Sequence, residues 1–258
     1  MTLRLSTGSR NAMLDGVGLQ SAMNKGYIKV FTGSQPASAD AAETGTLLGV
    51  ISASSGAVTK ETRATGSITL TGGASGSVNT VTVGGLNIIP DGAVPFNTSL
   101  NQTASDLCDA INRNGIMEAS VSGAVVTLTG HSGTGVTTAA VSSTLTTITA
   151  SYVAMGSGTA GVAPVNGLLL GPASAGVIAK LAGQVWSMAG VAVGTAGWFR
   201  FYSSDTADSG GLISGAPYFP RIDGSVAVSG ADLNLSNISI TVSAPATVDT
   251  FNFTMPSA

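Results

Sequence analysis

The sequence predicts a mainly β protein. Its framework is expected to be a β-sandwich or jelly-roll-like domain with short N-terminal helices, carrying an inserted small ββαββ domain. Three observations predict this. At least five segments alternate apolar and polar residues with period two, as half-buried strands do. The 35 glycines recur every few residues without a strict period, which fits short strands joined by tight turns and excludes collagen. Aromatic residues make up only 5% of the chain, so the core is expected to be built mainly from Val, Ile, Leu and Ala.

The elements follow in order. Residues 4–25 read as helical: Ser6 and Thr7 can cap, and Leu19, Ala22 and Met23 form an apolar stripe. Gly16 and Gly18 are expected to split this region into two short helices, with Gly26 as the C-cap. Tyr27–Thr32 alternates as a strand, and Leu47–Ile51 is the next. After a polar stretch, strands are expected at Ile68–Leu70, Val78–Val83 and Leu86–Ile89. Ala104, Leu107, Cys108 and Ile111 then share one helical face, and Thr103 with Asp106 resembles a capping box at its start. A hairpin around Gly123-Ala124 completes a ββαββ unit over 67–156, and Gly156–Gly161 reads as the exit linker. The framework, residues 1–66 plus 157–258, resumes with strands near 184–187, 197–202, 231–235, 238–242 and 248–254.

Composition excludes several functional classes. Charged residues are 9% of the chain against a usual ~25%, and none occurs from Ala119 to Ala179. Such a chain is short of general acids, bases and metal ligands, and its surface of methyls and small hydroxyls suits packing against other protein. The net charge is −3 with no basic block, which argues against nucleic-acid binding. The single cysteine, Cys108, cannot form an intrachain disulfide. No apolar core of signal-peptide length follows Met1–Arg10, and Val162–Ala179 is broken by Pro164, Pro172 and several glycines, so neither a leader nor a membrane helix is expected.

Candidate sites are few. His131, in Thr129-Gly130-His131-Ser132-Gly133, has a serine beside it but neither a nucleophile elbow nor a nearby acid, so it reads as a turn histidine. Cys108 lies among Asp106 and Asp109 on an apolar helix face and reads as a buried core thiol. Asp205, Asp208, Asp223 and Asp232 gather in the last third without calcium-loop spacing. The glycines at 72, 73, 76, 84 and 85 lack a following Gly-Lys-Ser and helix, so they do not read as a phosphate cradle. Trp198 and Tyr202 share one face of a strand and Phe199 and Phe201 the other. That pattern reads as a central core strand, with Trp198 and Tyr202 the candidate anchors of a subunit contact.

The two ends of the chain carry Met1–Gly8 with Arg10-Asn11, Ile28–Asp40, Thr44–Leu48, Gly194–Tyr202, Arg221–Val226 and Val248–Phe251. In these segments the chain resembles a family of uncharacterised virion proteins of tailed bacteriophages. The middle unit, around Val78–Val83 and Asp106–Asn112, is similar to small domains inserted into phage tail and surface proteins. The resemblance implies a particle component and carries no catalytic residues. The expected function is therefore a structural protein of a tailed-phage virion, a capsid decoration protein acting by multivalent assembly. It is expected to be no enzyme, to need no cofactor or metal, and to be assembled in the bacterial host cytoplasm. The expected partners are copies of itself and the major capsid protein or other virion proteins, with neither nucleic acid nor membrane. Two alternatives stand beside it: a tail or head–tail neck component, and a host-surface or carbohydrate-binding module with an exposed Trp186 or Trp198.

Overall fold

The computed structural model describes residues 3–14, 18–114, 116–130, 138–205 and 219–254. Among them strands account for 47% and helix for 12%, a mainly β protein. The chain divides into two compact units, Met1–Glu61 with Pro164–Ala258 (the framework) and Thr62–Ala163 (the inserted unit).

In chain order the framework opens with β1 (Arg4–Leu5), α1 (Thr7–Leu14), α2 (Leu19–Met23), β2 (Tyr27–Thr32) and β3 (Leu47–Ala53). The inserted unit follows with β4 (Thr65–Gly72), β5 (Ser77–Val83), β6 (Leu86–Asn87), β7 (Val94–Pro95), α3 (Leu100–Asn114), β8 (Glu118–Ser122), β9 (Val125–Thr129), β10 (Val141–Thr146) and β11 (Thr149–Val153). The framework resumes with β12 (Val177–Ala179), β13 (Trp186–Ala189), β14 (Gly194–Tyr202), β15 (Arg221–Ala227), β16 (Leu233–Leu235), β17 (Ser239–Ile240) and β18 (Pro245–Thr254).

The framework corrects the expected sandwich. Its strands run β15-β16-β18-β13-β3-β2-β14, and β14 pairs back to β15, closing a seven-stranded barrel. Closure is possible because β14 has a partner on each side: Phe199 opposes Val30 of β2 and Gly224 of β15. Among the described strands of the ring, β15 and β16 pair in parallel and the others antiparallel. A closed sheet leaves no edge among the ring strands.

Inside the barrel, β2, β13, β14 and β18 point Ile28, Val30, Trp186, Met188, Phe199, Phe201, Phe251 and their neighbours into one core. Phe251 sits at its centre, 5.5 Å from the Trp186 ring, 5.9 Å from Phe199 and 5.7 Å from Phe201. The core is built mainly from Val, Ile, Leu and Ala, as expected, with Trp186, Phe199, Phe201, Phe251 and Phe253 set among them.

The N-terminal region is only partly helical. Arg4 and Leu5 pair with Asp223 and Ile222 of β15, and Ser6 then caps α1 by accepting the Ser9 N–H at 3.1 Å. Helix α2 ends at Met23, with Asn24 already extended, so Asn24 and not Gly26 is the C-cap. Gly26 is needed for another reason: it bridges to Leu168, and a Cβ there would run into the Tyr202 carbonyl.

The inserted unit holds two four-stranded sheets, β10-β5-β6 with β7 on β5, and β11-β4-β9-β8. Helix α3 buries Ala104, Leu107, Cys108 and Ile111 in a core with Ile68, Val81, Val126 and Leu128. The structure adds β10 and β11 to the expected ββαββ order. The unit also reaches beyond 67–156, because Thr62 pairs with Val162 and Thr65 with Thr159 where the chain enters and leaves. The helix starts earlier than the capping-box pattern suggests. Ser99 accepts the Gln102 N–H at 3.2 Å, while Thr103 is buried one turn in and accepts the Asn97 N–H at 3.0 Å.

Candidate functional site

The candidate site grows from the alternation of β14. Phe199 and Phe201 face the barrel core, so Trp198, Arg200 and Tyr202 face outward. On a free barrel surface these three would meet water, yet they are 0%, 0% and 1% exposed. Phe31 stacks on Trp198 at 4.5 Å between ring centroids, and Tyr27 on Tyr202 at 5.2 Å. Arg200 binds Asp223 of β15 through two parallel hydrogen bonds, Nε to Oδ1 at 2.6 Å and Nη2 to Oδ2 at 2.7 Å. Burial works against the Arg200 guanidinium, but the hydrogen-bonded Asp223 carboxylate outweighs it and holds its pKa above the ordinary arginine value.

The cover over this face is the segment linking β2 to β3, residues 33–46. Arg200 Nη1 donates to the Ala41 carbonyl at 2.8 Å, and Arg4 donates to the Pro36 carbonyl. The Asp40 carboxylate accepts the Thr7 N–H at 3.0 Å and the Thr7 hydroxyl at 2.8 Å. Glu43 accepts from Lys29 Nζ at 2.8 Å and from the Tyr202 hydroxyl. Burial, and next to it the Glu43 carboxylate, push the Tyr202 phenol far above its ordinary pKa. The cover leaves one donor unsatisfied: among the described residues Trp198 Nε1 has no hydrogen-bond partner.

The candidate anchors Trp198 and Tyr202 therefore lie under this cover and not on the free surface of the single chain. Both rings are spent inside the framework, and Trp186 is buried in the barrel core. Neither tryptophan offers an exposed ring for stacking on a sugar.

The other candidate residues separate into individual structural tasks. Asp223 pairs with Arg200, and Asp232 accepts the Ser225 N–H and hydroxyl, both at 2.8 Å. Asp205 is buried in an isolated bridge with Glu61, whose carboxylate accepts the Ser204 hydroxyl at 2.9 Å. Among the described residues no group of His, Cys, Asp and Glu converges as a metal site. Cys108 is a buried free thiol, pushed up by burial and by the Asp109 charge, away from the reactive thiolate. Gly73, Gly76, Gly84 and Gly85 have positive φ. His131 and Asp208 lie outside the described residues. No helix among the described residues is long and apolar enough to cross a membrane.

Two surface features of the framework complete the site. A cleft of about 420 Å³ is lined by Tyr27, Lys29, Val50, Lys60, Ala189 and Val191 among others. Lys29 is engaged by Glu43, and Lys60 Nζ lies 5.1 Å from the centroid of the Tyr27 ring. Beside the cleft is an uncharged apolar rim. Val191, Val193 and Val242 are exposed there, Val193 at 71%. The β14–β17 pair, Gly194 opposite Ile240, and the Gly190 N–H bond to the Ala244 carbonyl at 3.0 Å bring the two loops together. Neither segment around the rim, 181–199 or 233–248, contains a charged residue. The sequence carried that signal in its charge-free runs, although individual valines there cannot be told from core. In comparison with known proteins, no family model matches the chain, and neither a curated protein nor a solved structure matches it.

Proposed function

We propose that this chain is a structural component of a tailed-phage virion, a capsid decoration protein that works by assembling with copies of itself and with the major capsid protein. The observation that carries the assembly reading is the exposed, charge-free rim of Val191, Val193 and Val242 on the closed barrel. Exposed valines on segments that carry no charge suit contact with protein. The phage assignment rests on the sequence resemblance of the framework segments. In this reading the buried polar groups are structural: the Arg200–Asp223 pair and the Asp40 and Glu43 contacts fix the framework surface rather than perform chemistry. Repetition on a lattice then converts modest contacts into stable attachment.

Particle imaging tests the proposal. The framework should be found on the capsid exterior in hundreds of copies, in contact with neighbouring copies. A few copies or a dozen in a ring at the neck or tail would replace decoration with the joining role. Binding of the purified chain to a host glycan, without incorporation into particles, would overturn both.

A further inference from the structure

The segment 33–46 is longer than its position in the fold requires. It joins β2 to β3, which are adjacent and antiparallel, with Ile28 opposite Ile51. A link of two to five residues normally serves such a pair. Here the chain instead lies as a strap across the outer face of β14. Near its two ends stand glycines with positive φ, Gly33 at 77° and Gly45 at 80°. Between them the strap forms no strand or helix. It is held by clamps from outside itself: Arg4, Thr7, Lys29, Arg200 and Tyr202.

We propose that the strap is exchanged between neighbouring copies, so that the strap of one copy covers the Phe31–Trp198–Arg200 face of the next. The proposal rests on the reading of the chain as a self-assembling protein and adds a second contact between copies to the one at the valine rim. The occupant is fixed by complementarity. The face presents a guanidinium for the carbonyls of Ser38 and Ala41 and a lysine and phenol for Glu43, and the strap supplies those acceptors. Exchange remakes each contact in trans without requiring a new surface, the low-cost route to oligomers. Lifted from its own barrel, the middle of this fourteen-residue segment reaches roughly 23 Å, half its extended length.

The Lys29–Glu43 ion pair, 2.8 Å apart, makes the exchange measurable. Full-length chain with natural isotopes and chain labelled with ¹⁵N are denatured, refolded together and concentrated. A zero-length carbodiimide then couples the Lys29 amine to the Glu43 carboxylate, and the linked peptides are read by mass spectrometry, with Glu43→Gln as the uncoupled control. The expected result is an oligomer whose linked peptides pair light with heavy as often as like with like. An oligomer with only like-isotope links overturns the exchange and leaves assembly standing. A chain that stays monomeric at every concentration, with like-isotope links alone, overturns both.

Discussion

The Arg200–Asp223 pair is fully removed from water, so its geometry must compensate the desolvation of two charges. It does so with two short parallel bonds and a further bond from the guanidinium to the Ala41 carbonyl. Removing one partner strands the other. Arg200→Ala should therefore cost about 3–5 kcal/mol in urea unfolding, while the double replacement Arg200→Met with Asp223→Leu should recover most of that loss. A single replacement that costs no more than an exposed pair would show that the face is wet. Tyr202 gives a pH-dependent counterpart. Its folded-state pKa is raised, so the fold favours the protonated phenol. Its contribution is complete below the free tyrosine pKa of about 10 and is lost as pH rises above that value toward the folded-state pKa. Unfolding free energy should fall on going from about pH 9 to about pH 11 and above, and Tyr202→Phe should fall less over the same window. Equal slopes for the two proteins would place the alkaline sensitivity elsewhere.

Elements were legible where a local pattern forces them. Tyr27–Thr32 reads as a strand and is β2, though it is buried on both faces, and the stripe Ala104, Leu107, Cys108, Ile111 is the buried face of α3. The hidden elements lack such a pattern. β10 and β11 are seven-elevenths Ser, Thr and Ala, with Val141, Leu145, Tyr152 and Val153 between them, and hydroxyl contacts such as Thr80 to Thr144 at 2.7 Å help to hold them. β15 opens Arg-Ile-Asp, which reads as solvated, yet its charges are buried because β14 supplies the matching arginine. The α3 start was misplaced because Thr103 and Asp106 sit at capping-box spacing, whereas the hydroxyl that caps is Ser99. Ser99→Ala should then cost about 1 kcal/mol as a lost cap. Leu107→Ala, which empties a fully buried site, should cost roughly 2–4 kcal/mol. Urea unfolding of both variants checks the order, and a larger loss for Ser99→Ala would mean the α3 face is not packed as described.

At the scale of the whole molecule, strand content was readable but closure was not, because which strand returns to β14 depends on pairings between residues far apart in sequence. The strap was hidden for the same reason: its acceptors are backbone carbonyls, which no side-chain pattern announces. Self-association is where the composition has its clearest physical consequence. The rim of Val191, Val193 and Val242 has no charged residue in the segments that build it. A contact made there draws on apolar burial, so salt screening has little to weaken. Light scattering should show the same oligomer at low and at high sodium chloride, and sulfate should favour it, because excluded salts strengthen apolar burial. Val193→Asp places a charge in the middle of that contact, where burying it unpaired is costly. The variant should dissociate by an order of magnitude or more in concentration while its unfolding free energy stays within about 0.5 kcal/mol of the parent, as exposed positions do. An oligomer that falls apart in sodium chloride, or that survives Val193→Asp unchanged, would move the contact away from the rim to a charged surface of the chain.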